Sequence, residues 1–164
     1  AELVNHLGGD ELCELAHKGQ LIGFLEQQTF QGEPLTHKLG GWMQKMLPLR
    51  GKSIVSYHKN WVYFLKLYGL HEAGTVEPKP GIPPSPKHVT GLIQKMKNEN
   101  LKIILAANYF DQQKIQSVAT RTQAIAVIVP LYVGGEKKVN DYLALMDYWV
   151  DRILEAARQQ GMIE

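Results

Sequence analysis

Residues 103–129 read IILAANYFDQQKIQSVATRTQAIAVIV, and this stretch decides the fold. Residues 103–106 and 126–129 are apolar at every position, which is typical of strands that are buried on both faces. Residues 112–122 between them predict a helix. A strand, a helix and a further strand in this order indicate a parallel sheet that is covered by helices on both sides.

The same alternation continues towards both ends of the chain. Residues 54–57 predict a buried strand, residues 61–68 predict the helix that follows, and Gly69 is suited to end that helix as a C-cap. Residues 75–76 predict a short second strand, and residues 142–153 mark a long terminal helix. We therefore expect an α/β fold with a four-stranded, mainly parallel sheet flanked by helices.

A proline-rich segment, residues 78–86, follows the second strand. Proline at this density is incompatible with the interior of a helix or a sheet. Ser85 is a natural N-cap, and Pro86 is suited to the first helical position, so the next helix is predicted to begin there.

The N-terminal part of the chain is predicted to be helical. A helix over residues 35–47 is indicated by apolar residues at the spacing of one helical face, namely Leu35, Leu39, Trp42, Met43, Met46 and Leu47. The chain is thus divided into a helical segment, residues 1–50, and an α/β region, residues 51–164.

Composition bounds the function only broadly. The formal net charge of +2 gives no reason to expect a nucleic acid or an anionic membrane as partner. The longest apolar run, residues 124–129, is far shorter than the ~20 residues that span a bilayer.

Cys13 is the only cysteine, so no internal disulfide can form. Neither an initiator Met nor a signal peptide precedes Ala1, and we expect a processed, proteolysed or trimmed chain.

Ligands of an open parallel sheet bind beyond the carboxyl ends of its strands, where successive loops converge. The loops predicted there supply one imidazole, one carboxylate and several hydrogen-bonding groups: Tyr57, His58, Glu77, Asn108, Tyr109 and Tyr132.

His58 is the sharpest candidate among them. An imidazole directly after a buried strand points into the crevice, and imidazole is a good ligand for Zn²⁺. The alternative is a capping or core histidine that hydrogen-bonds locally, and the spacing alone favours that alternative because none of the other histidines pairs with another at ligand spacing.

Signals of catalysis are missing from the sequence. It contains no Gly-x-Ser-x-Gly nucleophile motif and no phosphate-cradling glycine pattern. Cys13 is interpreted as a small core residue, and no pattern brings Glu77 and Asp111 together as an acid–base pair. The sequence therefore predicts a binding protein and no enzyme.

Two stretches carry a resemblance to a known family. Residues 56–64 read SYHKNWVYF, and residues 77–85 read EPKPGIPPS after a Gly69-Leu70 helix end. Together they resemble the carboxyl-terminal lobe of the metal-receptor proteins of zinc and manganese ABC importers, which are also known as periplasmic solute-binding proteins or adhesion lipoproteins. The resemblance covers roughly residues 32–157.

The resemblance implies two α/β lobes that are joined by one long rigid helix and hold a metal ion between them. Residues 35–47 would form the distal part of this connector helix. His58 matches the histidine that the second lobe contributes to the metal. From their place on the neighbouring loops, the candidate lining residues of that site are Glu77, Asn108, Tyr109 and Tyr132. The remaining histidine ligands belong to the amino-terminal lobe, which this sequence lacks, so the site is expected to be incomplete in this chain.

The resemblance also implies a partner, a location and a metal. Some members, especially manganese receptors, add a carboxylate from the loop after the last strand, but here residues 131–135 read LYVGG. This departure favours Zn²⁺ over Mn²⁺, because manganese prefers oxygen ligands. The expected protein is periplasmic or otherwise extracytoplasmic, delivers its metal to an ABC transporter permease, and meets the membrane only by anchoring or docking. A self-standing single-lobe interaction protein without metal binding is the alternative.

Overall fold

The computed structural model describes residues 9–79 and 81–164. His6 and Pro80, on which expectations from the sequence fell, lie outside these residues. The N-terminal segment consists of short elements: helices α1 (Gly9–His17) and α2 (Leu21–Glu26), a hairpin of β1 (Thr29–Phe30) and β2 (Glu33–Pro34), and helix α3 (Gly41–Met46), with 3-10 turns at Leu35–Lys38 and Leu47–Leu49.

The single helix predicted over residues 35–47 is wrong. Leu39 and Gly40 are extended, and Gly41 has a φ of +55°, so the helical hydrogen-bond ladder stops between the first 3-10 turn and α3. Consecutive glycines favour such a break because they have no Cβ to restrict the backbone. In the described segment, no long helix corresponds to the expected connector.

The apolar spacing that suggested one helix serves two packing contacts instead. Leu35 and Leu39 pack on α2 with Ile22 and Leu25, while Trp42 packs against the cluster built around the last helix. Cys13, interpreted from the sequence as a core residue, is exposed, because it lies on the solvent side of α1. That interpretation was also wrong.

The remainder of the chain forms a four-stranded parallel sheet, as predicted. Its strands are β3 (Ser53–Ser56), β4 (His71–Thr75), β5 (Ile103–Ala107) and β6 (Ile125–Val129), in the order β4-β3-β5-β6. The second strand is longer than expected from the sequence. It is an edge strand whose first four residues are half-buried or exposed, so it carries little apolar signal.

Helices cover both faces of the sheet: α4 (Val62–Tyr68), α5 (Pro86–Asn98), α6 (Gln112–Thr122) and α7 (Tyr142–Gln159). Alternate residues of β5 pack into two separate hydrophobic clusters, one on each face of the sheet. Ile103 and Leu105 pack with α4 and α7, whereas Ile104 and Ala106 pack with α5 and α6. Every residue of β5 is therefore buried, as its unbroken apolar sequence predicts.

The predicted ends of the helices are confirmed. Gly69 ends α4 in the left-handed region at φ +68°, and the Ser85 hydroxyl accepts a hydrogen bond from the His88 N–H at 3.2 Å. Within the part of the chain that the structure describes, no helix combines the length and apolarity needed to cross a membrane.

Candidate metal centre

The strand order creates a crevice between β3 and β5. From β3 the chain crosses outward to β4, and it then returns to place β5 on the other side of β3. Loops that leave neighbouring strands in opposite directions leave an open space between them, where ligands bind in α/β sheets. His58 follows β3 at this point, and Asn108 and Tyr109 follow β5.

Backbone hydrogen bonds hold the loop residues beyond the strand ends. The Tyr57 N–H donates to the Leu105 carbonyl at 2.8 Å, and the Glu77 N–H donates to the Tyr57 carbonyl at 2.7 Å. The position of the His58 Cα is therefore determined by the sheet and not by a free loop.

The His58 ring is oriented by the main chain of the next loop. Its Nδ1 lies 2.9 Å from the Glu77 carbonyl oxygen, and the side chain is half-buried. A carbonyl can only accept, so Nδ1 carries a ring proton, and in the neutral ring the lone pair lies on Nε2. Among the described residues, none forms a hydrogen bond with Nε2.

This arrangement is the one that metal-binding histidines adopt. Such a histidine donates one ring N–H to a carbonyl or carboxylate and binds the ion through the other nitrogen. A histidine that only hydrogen-bonds locally, the alternative considered above, would also make the Nδ1 contact, but it would not require Nε2 to be free.

Aromatic rings wall the crevice on one side. The Phe110 centroid lies 6.1 Å from the His58 ring at an angle of 65°, 4.6 Å from the Tyr57 ring and 4.5 Å from the Tyr109 ring. Asn60 donates from Nδ2 to the Tyr109 hydroxyl at 2.6 Å. Phe110 and Asn60 are not among the candidates selected from the sequence, although each stands within two positions of one that is.

Glu77 lies at the crevice, but its carboxylate bonds to the backbone of its own loop. Its Oε1 accepts a hydrogen bond from the Gly81 N–H at 3.0 Å.

Burial raises the pKa of the Tyr57 hydroxyl, and the carboxylates of Glu77 and Asp111 raise it further. Tyr57 is therefore a neutral hydrogen-bonding group at physiological pH.

Asp111 caps a helix, and no hydrogen bond among the described residues joins it to Glu77. Its Oδ1 accepts from the Gln113 and Lys114 N–H groups at the start of α6, and these bonds, above all the one from Lys114, lower the pKa of the carboxyl group. A carboxylate held ionised in this way is a poor proton donor.

Asn108 contacts the loop that contains Tyr132 and is not bonded to His58. The Asn108 Nδ2 donates to the Gly135 carbonyl at 3.0 Å, which ties the loop after β5 to the loop after β6. The Tyr132 ring is 58% exposed. Over residues 9–79 and 81–164, no hydrogen bond or ring contact joins either side chain to His58.

His58 does not stand in a complete donor set within this chain. Among the described residues, no group of three or more His, Cys, Asp or Glu side chains is placed to hold a metal ion. Two other histidines use a ring nitrogen locally: His88 on the Thr75 carbonyl and His17 on the Cys13 carbonyl. The crevice can thus offer one imidazole ligand, and a typical zinc site takes about four ligands.

Solved structures with a similar fold support this architecture. They include the SBP FpvC from Pseudomonas aeruginosa in complex with Mn²⁺ (20% identity, TM-score 0.59, covering 73% of this chain and 47% of that one). A Mn-bound periplasmic metal binding protein from Candidatus Liberibacter asiaticus matches at 17% identity and a TM-score of 0.56. This match covers 70% of this chain and 44% of that one. A mutant of the laminin-binding adhesin Lmb from Streptococcus agalactiae matches at 22% identity and a TM-score of 0.53. This match covers 76% of this chain and 45% of the adhesin chain.

The chain thus spans less than half the length of these structures. No curated protein matches its sequence significantly. A family model does match: that of the zinc-uptake complex component A, periplasmic, over residues 36–156. The resemblance drawn from the sequence is confirmed, and because the match covers well over half of the sequence, the chain belongs to the family of the zinc-uptake complex component A.

Proposed function

We propose that this chain is the metal-binding lobe of an extracytoplasmic receptor of an ABC importer, and that it binds Zn²⁺ through His58. The observation that carries the proposal is the Nδ1 hydrogen bond to the Glu77 carbonyl, which leaves Nε2 free at the switch point of the sheet. A neutral imidazole with its second nitrogen anchored in this way is a preorganised ligand.

Zinc is favoured over manganese by the donors at the crevice. The loop after β6, residues 131–135, contains neither Asp nor Glu, and the Glu77 carboxylate is engaged by the Gly81 N–H. Mn²⁺ prefers oxygen ligands, whereas imidazole suits Zn²⁺. The name of the family supports zinc, whereas the similar structures of FpvC and of the Liberibacter protein hold Mn²⁺.

A single imidazole needs further ligands, and these are proposed to come from an amino-terminal lobe that faces the same crevice. The complete receptor would deliver its ion to a membrane permease in the periplasm or another extracytoplasmic space. Capture and release of an ion would make and break only metal–ligand bonds, so the proposal assigns no covalent chemistry to the crevice.

The test is a Zn²⁺ titration in competition with a chromophoric chelator. Wild-type chain is expected to bind weakly, and His58→Ala should weaken binding by at least about tenfold, because the only preorganised ligand is lost. The matched control is His71→Ala, which removes an exposed histidine at the amino end of β4. It should leave the affinity unchanged, and Mn²⁺ should bind more weakly than Zn²⁺.

NMR of the imidazole nitrogens adds a readout at atomic level. On addition of Zn²⁺, the Nε2 resonance of His58 should shift while Nδ1 keeps its proton. Zinc binding that is indifferent to His58→Ala, or metallation at Nδ1, would refute the assignment and favour a single-lobe interaction protein without a metal function.

A further inference from the structure

A second concavity lies on the α5–α6 face of the sheet and adjoins the metal crevice at Tyr57. It has a volume of about 340 Å³. Its floor consists of Tyr57, Val76 and Val118, which are all buried. A cavity of this size with an apolar floor is in the range of pockets that hold small organic molecules.

One wall of the concavity is rigid and apolar. It is built by Pro83, Pro84 and Pro86 from the proline-rich segment and by Val89 from the first turn of α5. The pyrrolidine ring restricts φ, so a proline wall keeps its shape without a large entropic cost on binding. The proline-rich segment thus forms one wall of the concavity in addition to leading into a helix.

The opposite rim is cationic and polar. Lys114, Ser117 and Arg121 lie at i, i+3 and i+7 of α6, on one face of the helix, and all three are exposed. Lys114 pairs with Asp111 (Nζ to Oδ2, 3.4 Å). Among the described residues, Arg121 takes part in no ion pair, and no acidic side chain lines the concavity.

We propose that this concavity, the α5–α6 pocket, binds a small monocarboxylate with an apolar body. The body would pack on Val76, Val89 and Val118, and the carboxylate would lie on the Arg121 guanidinium with the Ser117 hydroxyl beside it. Arg is suited to this role because its planar fork of N–H groups matches the two oxygens of a carboxylate. The apolar floor excludes inorganic anions as the preferred ligand.

The test uses 4-phenylbutyrate as the probe and its neutral amide as the matched comparator. Binding to the wild-type chain is followed by NMR shifts of the Val89 and Val118 methyl groups. The acid should give saturable shifts of both methyl groups, and the amide should bind at least about tenfold more weakly, because the charge-assisted hydrogen bond is missing.

Variants locate the charge that is responsible. Arg121→Gln should reduce the affinity for the acid to that for the amide, whereas Arg158→Gln, an exposed arginine on α7, should not change it. His58→Ala should leave binding of the acid intact, since the pocket does not use the metal ligand.

Equal affinities for acid and amide, no saturable shift at millimolar acid, or full affinity in Arg121→Gln would each overturn the proposal. The comparison of acid with amide is made on the wild-type chain, so it stands even if a variant folds poorly.

Discussion

Two polar atoms are buried in the core without a hydrogen-bond partner among the described residues: the Trp61 Nε1 and the Tyr68 hydroxyl. Both side chains belong to the aromatic group around α4, in which the Trp61 and Trp149 centroids are 5.0 Å apart. Leaving such a group unpaired costs about 1–3 kcal/mol. The packing of these large rings therefore outweighs a local loss of hydrogen bonding.

The Tyr68 hydroxyl predicts how stability depends on alkaline pH. Burial, with a smaller contribution from Tyr142, raises the pKa of Tyr68 from 10.0 to about 12. Below pH 10 the group is protonated in both states. Between the two pKa values the unfolded chain releases the proton and the folded chain keeps it, so the free energy of unfolding falls as pH rises.

We expect Tyr68→Phe to remove this part of the alkaline destabilisation. One unit of pKa shift corresponds to about 1.4 kcal/mol, so the stability lost between pH 8 and pH 11 should be roughly 1 kcal/mol smaller in Tyr68→Phe. Urea unfolding at each pH measures it. Tyr132→Phe, at an exposed tyrosine, serves as the control, and equal losses in wild type and Tyr68→Phe would contradict the prediction.

At the scale of the elements, two glycines have opposite roles in two helices. Gly69 ends α4 with a positive φ, and a Cβ there would lie 2.6 Å from Arg50 Nη1. Arg50 cannot move freely because its Nε pairs with Glu26 Oε1 at 2.8 Å. Gly91 lies inside α5, is exposed, and a Cβ there would meet nothing within 4 Å.

Alanine should therefore destabilise one helix and stabilise the other. Gly69→Ala forces an L side chain into the left-handed region and against Arg50, and we expect a loss of about 1–2 kcal/mol. Gly91→Ala restricts only the unfolded chain and should gain roughly 0.5–1 kcal/mol. Chemical denaturation of both variants gives the two free energies, and the same sign for both would be inconsistent with these backbone roles.

The elements also show what the sequence can predict. β5 and α6 were located closely because a buried strand and a helix face leave an unbroken periodicity. The strand predicted for β4 was too short, because an edge strand needs few apolar residues. The helix predicted over residues 35–47 was wrong, because the spacing of apolar residues cannot reveal a break at Gly40 and Gly41. The place of His58 at the sheet edge was predicted because it directly follows a buried strand of a parallel sheet. Its tautomer and the Phe110 wall depend on loop geometry, which leaves no periodic signal.

At the scale of the whole molecule, one sheet separates two cores. The α4–α7 side contains the aromatic rings of Trp61 and Trp149, with Trp42 packed at its margin. The α5–α6 side contains no tryptophan. β5 is common to both sides, so the two cores share their central backbone and should unfold together.

Two neighbouring substitutions in β5 test this coupling. Ile103→Ala opens a cavity on the tryptophan side and Ile104→Ala on the other, and each should cost about 2–5 kcal/mol. In Ile104→Ala, the midpoint of the tryptophan fluorescence transition should move as far as that of far-UV circular dichroism. Ile82→Ala, at an exposed position, should change stability by less than about 0.5 kcal/mol. Separate midpoints for the two probes would show that the cores unfold independently.

The group that orients His58 is a carbonyl of the main chain, and every residue has one. Any amino acid at position 77 would present the same acceptor to the imidazole, and any except proline would keep the N–H that donates to the Tyr57 carbonyl. The orientation of the imidazole ring therefore depends on the backbone of the loop and not on the identity of the side chain at position 77. A substitution at position 77 would leave the histidine aimed at the same point wherever the loop keeps its backbone path without the Glu77 carboxylate bond to the Gly81 N–H.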